Sequence, residues 1–567
     1  MPVSSPFPAI DMPKGNILSY LFPPDCTPST SPIWMDSKDT RISLSAAQLL
    51  VWVKRLALGL NGLGLKRGDV VMIYTPNHVF VPVAYLGIVG AGYSFSGANP
   101  LYTVPGETKC KPEMVHQISN TGAKVILVHP NMLSTALAAA KELGFPKANI
   151  FQFSDVENPP LSEVKDWRAL LPSIEASTTY RWPELTPEES LKTIATINYS
   201  SGTTGLPKGV CITHSNLIAN VEQAMFMKFH NTGYTRDSHP PERYIGFLPL
   251  YHAYGQLTAI LLASKMNTPC YIMKAFVFPD FLQCIQEHQI TDLPVAPPIL
   301  VMLSKRPETK DYDLSSVRHI GCGAAPLSSS LQNEVSRRYN VEITQGWGMT
   351  EVTCGALGVP REANDDSGSV GVLNPNTEGM LVDEEGKEVG VGERGELWIR
   401  GPQVCLGYWK NEKATREAIT SDRWLKTGDV AVRDERGWFW IVDRMKELIK
   451  VNGLQVAPAE LEAVLLTHDD IADAAVVGLT LNNEEYPRAY VVLQASSQGK
   501  NINPEDIQNW IKTKVAKHKY LTGGVAFIDE VPKLASGKIM RKVMREWAKR
   551  DAEMLGRKGG VGRRSKL

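Results

Sequence analysis

Over most of the chain, short apolar runs alternate with stretches whose apolar residues return at helical spacing. Residues 70–74, 125–128 and 193–198 predict strands, and 46–63 and 132–143 predict helices, the first closed by the turn at 62–69. The alternation continues to about residue 440, which implies α/β layers with mostly parallel strands. Residues 79–96 carry no charge and are long enough to raise a membrane span. Pro82, three glycines and two serines instead predict a buried helix at 81–91 followed by a strand or turn.

At 443–452 charged residues break up the aromatic run Trp438, Phe439, Trp440, and a shorter pattern follows. That pattern reads helix from 457, strand at 472–478, strand at 489–495, helix at 504–518, strand at 524–527. The expected fold is α/β: a large multi-layer N-terminal domain with mostly parallel sheets (1–442), a hinge (443–450), a small mobile α+β lid domain (451–556) and a flexible tail (557–567).

With 43% hydrophobic and 21% charged residues the composition is that of an ordinary globular protein. Sixty basic residues balance sixty acidic ones, so no global field recruits nucleic acid or an anionic membrane, and any anion is bound locally. The eight cysteines form no Cys-x-x-Cys pair and have no histidine at metal-ligand spacing, which suits a reduced compartment. The N-terminus lacks the apolar block of a secretory signal, and the chain is expected not to span a membrane. Its last residues, Ser565, Lys566 and Leu567, spell the peroxisomal import address behind a basic, glycine-rich tail, so the import receptor is an expected partner and the peroxisome the expected location.

The densest chemistry lies at 199–209, Tyr-Ser-Ser-Gly-Thr-Thr-Gly-Leu-Pro-Lys-Gly. Gly202, Gly205 and Gly209 let backbone N–H groups close on an anion, Ser200, Ser201, Thr203 and Thr204 add donors, and Lys208 adds a cation. Apolar residues 191–197 and 210–213 predict strands entering and leaving, so the loop is a hairpin tip. It is not a P-loop, because Lys208 lies between Pro207 and Gly209 with no hydroxyl residue after it. A Gly/Ser/Thr linker would share this composition.

Four more segments set polar groups against turns. His252 follows an apolar run amid aromatics, where an isolated histidine reads as core. Small residues at Gly323, Ala324 and Ala325 and in Gln345-Gly-Trp-Gly-Met-Thr-Glu leave room for a flat ring. There Trp347 can stack on adenine, Thr350 can donate to a phosphate and Glu351 can hold Mg²⁺. Asp429 ends a predicted strand and can take ribose hydroxyls. By periodicity alone Arg444 and Lys446 are surface charges, as is Lys538 on its glycine turn.

In order and spacing these motifs, from Tyr199 to Lys542, resemble the adenylate-forming enzymes: acyl-CoA synthetases, 4-coumarate-CoA ligases, beetle luciferases and peptide-synthetase adenylation domains. The resemblance implies an ATP and AMP site made by Ser200, Ser201, Gly202, Thr203, Thr204, Gly205, Lys208, Gly323, Ala324, Ala325, Gln345, Gly346, Trp347, Gly348, Thr350, Asp429, Arg444 and Lys538. It implies catalysis by Lys538, Thr350 and His252, with Lys446 as pivot and Glu351 on Mg²⁺. Trp347 stands where the ligases commonly have tyrosine, which keeps a stacking surface. An acyl pocket falls on His252, Tyr254, Thr258, Gly321, Gly346, Cys354, Gly355 and Ala356, and CoA contacts on Lys450, Gly453 and Gln455.

The implied activity is an AMP-forming acid–thiol ligase using ATP, Mg²⁺ and CoA. It would turn a carboxylic acid into acyl-AMP plus pyrophosphate and then acyl-CoA plus AMP. The mostly small or apolar pocket residues suggest a medium-chain fatty acid or an aryl acid of the cinnamate or phenylacetate kind. A luciferase-like oxygenase and a stand-alone enzyme loading a carrier protein share the motifs.

Overall fold

The computed structural model describes residues 2–100, 111–200, 207–451, 454–481, 484–497, 500–534 and 537–557. Ser201, Gly202, Thr203, Thr204, Gly205 and Gly453 lie outside the described residues, as do Ser565, Lys566 and Leu567.

Among the described residues the part before 445 carries three sheets. A seven-stranded sheet centres on Ser94–Ala98, Val70–Tyr74 and Val125–Val128, which pair in parallel. All five residues of Val70–Tyr74 are buried, as expected of a parallel strand covered on both faces. The uncharged window resolves into the helix Val81–Gly90, buried at all ten positions, and Ser94–Ala98. A helix apolar all round is core material. No helix among the described residues is long and apolar enough to cross a membrane.

On the same sheet Ile194–Ser200 runs antiparallel to Lys208–Thr213 with Ser200 opposite Lys208, so the expected hairpin is present. Its first strand starts later than the apolar run suggests. Leu191 belongs to the helix Pro187–Lys192, which a Thr186/Glu189 capping box starts.

A nine-stranded sheet contains the parallel neighbours Glu342–Trp347, His319–Cys322, Asp292–Val295, Tyr244–Gly246, Cys270–Ile272 and Pro32–Asp36. Ligands of open α/β sheets bind beyond the carboxyl ends of such strands. His252, Gly323 and Trp347 all lie at or just past those ends.

The third sheet is wholly antiparallel: Val3–Ser4, Glu378–Val382, Gly395–Arg400, Leu425–Arg433 and Phe439–Arg444. A reading of parallel layers up to 440 does not foresee it. Its signature is period-two burial, strict in Gly395–Arg400, which marks a sheet with one wet face.

Beyond the hairpin Ile449–Val451/Leu454–Val456, a smaller unit has its own core, including Leu461, Val476, Val491, Ile507 and Ile511. Ile471–Leu481 and Glu484–Leu493 pair antiparallel, and Val525–Phe527 joins in parallel. One expectation is corrected here, and one helix stands where none was foreseen. The helix expected over 504–518 ends at Lys512, and a separate helix, Arg541–Arg557, occupies residues whose polar composition hid it.

Candidate active site

Asn77 shapes the approach to His252. Its side-chain amide donates to the Leu248 carbonyl at 3.0 Å and its oxygen accepts from Leu250 N–H at 2.9 Å. The braced turn delivers His252 as N-cap of Ala253–Gly255, where its Nδ1 faces Tyr254 N–H at 3.5 Å. Burial, with the Lys538 ammonium adding to it, pushes the imidazole down to about 3. His252 is therefore a neutral wall of the site rather than a proton donor.

The next turns are π-helical, Gln256–Leu262, a distortion that recurs at functional sites. Thr258 lies on it and donates to the Tyr254 carbonyl at 2.9 Å, while the Tyr254 hydroxyl donates to the Gly321 carbonyl at 3.0 Å. A Cβ at Gly321 would meet only His319 and Tyr254, at 3.5 and 3.7 Å, and one at Gly355 would meet nothing within 4 Å. The structure thus packs Tyr254 and His319 against Gly321 and leaves open space at Gly355. Ala356 is buried and donates its N–H to the Trp347 carbonyl at 3.0 Å. Burial pushes the Cys354 thiol up to about 12, so it is no nucleophile.

Gly323, Ala324 and Ala325 follow His319–Cys322 as a half-buried turn. A Cβ at Gly323 would lie 3.6 Å from the Gly346 carbonyl and 3.8 Å from Tyr254, which leaves a narrow slot. Gln345 turns its amide away, donating to Gln332 at 2.6 Å.

Asp429, expected at a strand end, lies instead in the middle of Leu425–Arg433, because the antiparallel pairing carries the strand past it, and it faces Arg444 as cross-strand partner. Asp429 is buried; its Oδ2 accepts the Trp347 indole N–H at 2.8 Å, and its Oδ1 stands 3.2 Å from Arg444 Nε without a well-aligned hydrogen bond. Tryptophan at 347 therefore does more than offer a flat face, because it also aims the carboxylate. A buried carboxylate oxygen with a cation at 3.2 Å but no aligned hydrogen bond can accept a ligand hydroxyl, such as that of a ribose.

Thr350 and Glu351 occupy the short turn Thr350–Val352, both buried, just past Gly348. Glu351 Oε1 accepts the Tyr408 hydroxyl at 2.9 Å, and Lys208 Nζ sits 4.9 Å from the Tyr408 ring centroid. Tyr408 ties the foot of the hairpin loop to the acidic turn. Sequence reading missed it, as it missed Asn77, although the Gly-Tyr-Trp aromatic pair at 407–409 is a usable signal.

Lys538 reaches this site from the smaller unit. Its turn closes through Gly537 N–H to the Leu534 carbonyl and Leu534 N–H to the Lys538 carbonyl, both 2.8 Å. Gly537 has φ +83°, and a Cβ there would press on Ala296 and Pro298 at 3.1 and 3.2 Å, so conformation and close approach both require glycine. Burial holds the Lys538 ammonium below the usual lysine range. Arg444 lowers it further, while Asp429 and Glu351 pull the other way. One cation thus shares a field with both carboxylates.

Lys446 is exposed between the end of Phe439–Arg444 and the hairpin. Lys450 and Gln455 pair across that hairpin. Lys450 N–H donates to Glu485 at 2.7 Å and the Gln455 amide to Glu384 at 3.1 Å, so these contacts do not link either residue to the Lys538 cluster.

Comparison with known proteins identifies the family and the fold. The AMP-binding enzyme family matches residues 28–409, and the AMP-binding enzyme C-terminal domain matches 460–538. An acyl-CoA synthetase of Alternaria alternata is 38% identical over 91% of this chain and 87% of its own. A phenylacetyl-CoA ligase of Aspergillus niger is 35% identical over 96% and 99%. The fold matches a crystal structure of an anthranilate CoA ligase bound to anthranoyl-AMP with TM-score 0.83, at 23% identity over 96% of this chain and 99% of that one. The two carboxylates, the lysine brought to them and these matches lead to one statement: the chain belongs to the AMP-binding enzyme family.

Proposed function

We propose that this chain is an ATP-dependent, AMP-forming acid–CoA ligase whose acid is a medium-chain fatty acid or an aryl acid. The observation that carries the reading is the meeting of Lys538 with Glu351 and His252, past the carboxyl ends of the parallel strands, and with Asp429 of the antiparallel sheet. A carboxylate is a poor acyl donor, since its leaving group would be oxide. Attack of the acid on the α-phosphate of ATP expels pyrophosphate and gives a mixed anhydride with a good leaving group. Negative charge gathers on the α-phosphate in that transition state, where Lys538 and Thr350 stabilise it.

Asp429 Oδ1 receives a ribose hydroxyl and Trp347 flanks the base. Lys208, with the loop 201–205, meets the departing phosphates. Glu351 would hold Mg²⁺. A single carboxylate suits that ion, which keeps waters and takes its remaining ligands from phosphate, and the ion would neutralise triphosphate charge. In the second half a thiol attacks the acyl carbonyl and AMP leaves. Before that attack the unit after 450 pivots at Lys446, withdrawing Lys538 from the site and freeing an approach for CoA. Lys450, Gly453 and Gln455 are the CoA contacts of that second arrangement.

The open space at Gly355 and the small residues Gly321 and Ala356 favour a bulky, uncharged acyl group, in line with the phenylacetyl-CoA ligase among the relatives and with a probable 4-coumarate–CoA ligase of Dictyostelium discoideum. A panel of fatty and aryl acids, scored by pyrophosphate release with and without CoA, tests acid and acceptor together. Efficient turnover of acetate with rejection of larger acids overturns the substrate assignment. Ser565, Lys566 and Leu567 support delivery to the peroxisome. A fluorescent fusion lacking Leu567 should stay cytosolic, and continued import would sink that assignment.

A further inference from the structure

The helix Pro297–Lys305 meets the C-terminal unit at both of its ends. At its start, Ala296 and Pro298 form the surface against which Gly537, the neighbour of Lys538, is seated. At its last residue, Lys305 Nζ donates to the main-chain carbonyls of His468, at 3.4 Å, and Ile471. His468 lies within the connection between Pro458–Leu465 and Ile471–Leu481 and Ile471 opens the strand after it, so both belong to the unit that carries Lys538. Nine residues at helical rise separate the two seats by about 13 Å.

Lys305 is half-buried at this seam, and burial lowers its ammonium from the usual lysine range against the pull of Glu334, Asp469 and Asp473. A desolvated ammonium needs hydrogen-bond acceptors, and the two carbonyls supply them. Asp473 is engaged elsewhere, by Lys533 at 2.6 Å, and Glu334 by Ser304 at 2.6 Å. The contact therefore reads main chain rather than a single carboxylate, which ties it to the position of the unit and not to one side chain. A seat at one end would leave the unit free to swing about it; two seats fix the direction from which Lys538 enters.

We propose that Lys305 is a positioning residue for adenylation, gripping the His468 and Ile471 carbonyls so that Pro297–Lys305 acts as a docking rail that aims Lys538. The proposal rests on the ligase reading above and concerns only its first half. An ångström of misplacement at a reacting group can cost about a hundredfold in rate. Lys305 touches neither acid nor nucleotide in this scheme, so its loss leaves the second half intact.

The test uses the full chain, 4-coumarate, phenylacetate and octanoate as probe acids, and the synthetic adenylate of whichever is used best. Lys305→Met should cut acid-dependent exchange of labelled pyrophosphate into ATP roughly 10- to 100-fold. The fall should be in kcat with KM for the acid unchanged, while thioester formation from the supplied adenylate is maintained. Lys305→Arg, which still donates to carbonyls, should restore most of the exchange. Thermal melting checks that each variant is folded, and Lys305→Gln replaces Lys305→Met should the latter melt early. Equal damage to both half-reactions, or undiminished exchange, overturns the docking rail. No acid-dependent exchange by the unmodified chain would instead overturn the ligase reading itself.

Discussion

Asp429 and Lys538 place opposite charges in one site, yet they are held in different ways. Asp429 is buried on a central strand of a five-stranded sheet, bonded by the Trp347 indole, facing Arg444 at 3.2 Å, with its own N–H on Thr427 Oγ1 at 3.1 Å. Lys538 rides on a short glycine turn of a separately cored unit, seated against Ala296 and Pro298. A group that binds the adenosine half of the nucleotide must serve both half-reactions, so a rigid sheet suits it. A group that stabilises charge on the α-phosphate is needed only while ATP is attacked, and a detachable turn suits that.

The largest effect should come from removing the detachable charge. Lys538→Ala should slow acyl-AMP formation about 10²- to 10³-fold, the usual loss for one donor aimed at developing charge. Thioester formation from supplied acyl-AMP should be nearly unchanged. Assaying the two halves separately checks this, and parallel losses would erase the contrast between fixed and removable groups. Asp429→Asn should behave oppositely. Weakening charged hydrogen bonds costs about 1.5–3 kcal/mol, seen as raised KM for ATP in the first half and for acyl-AMP in the second. An effect confined to the first half would place Asp429 with Lys538 rather than with the fixed frame.

How far the chain discloses this contrast depends on what kind of contact makes it. Strands such as Val70–Tyr74 and Val125–Val128 are legible because each is a short apolar run rich in β-branched residues, too brief for a buried helix. Asp429 and Lys538 are legible through the local turn chemistry around them and the motif order. Tyr408 on Glu351, and Lys305 on the His468 and Ile471 carbonyls, are contacts between residues 57 and 163 or more positions apart, and no local pattern encodes them. Trp347 falls between these cases. Its flat face is readable from the sequence, while the direction of its N–H toward Asp429 needs the antiparallel sheet, which parallel-layer reasoning overlooks.

A pH profile sharpens the comparison further. Burial lowers the Lys538 ammonium in the folded protein, so its charge is present at low pH and lost as pH rises through a value below the ordinary 10.5. Adenylation kcat/KM should therefore fall on an alkaline limb below pH 10.5, and Lys538→Arg should remove that limb, since guanidinium does not deprotonate in this range. Thioester formation from supplied adenylate should lack the limb. His252, pushed down to about 3, should contribute no acid limb above about pH 5 in either half. A limb near pH 6.5 that disappears in His252→Asn would show that the imidazole titrates in water and that the site is wetter than its packing implies.

The smallest effect belongs to the aim of the fixed carboxylate. Trp347→Phe keeps a ring for stacking and deletes the N–H that Asp429 Oδ2 accepts. Removing that donor leaves a buried carboxylate oxygen short of a partner, which costs about 1–3 kcal/mol before relaxation. Arg444, already 3.2 Å away, can rotate to recover part of it. The net should be a several-fold rise in KM for ATP with kcat little changed, matched by a similar rise in KM for acyl-AMP in the second half. The symmetry is what matters, because a tryptophan that serves the fixed frame must be missed equally in both steps. A rise for ATP alone would mean that Trp347 helps to position the triphosphate rather than the adenosine that stays.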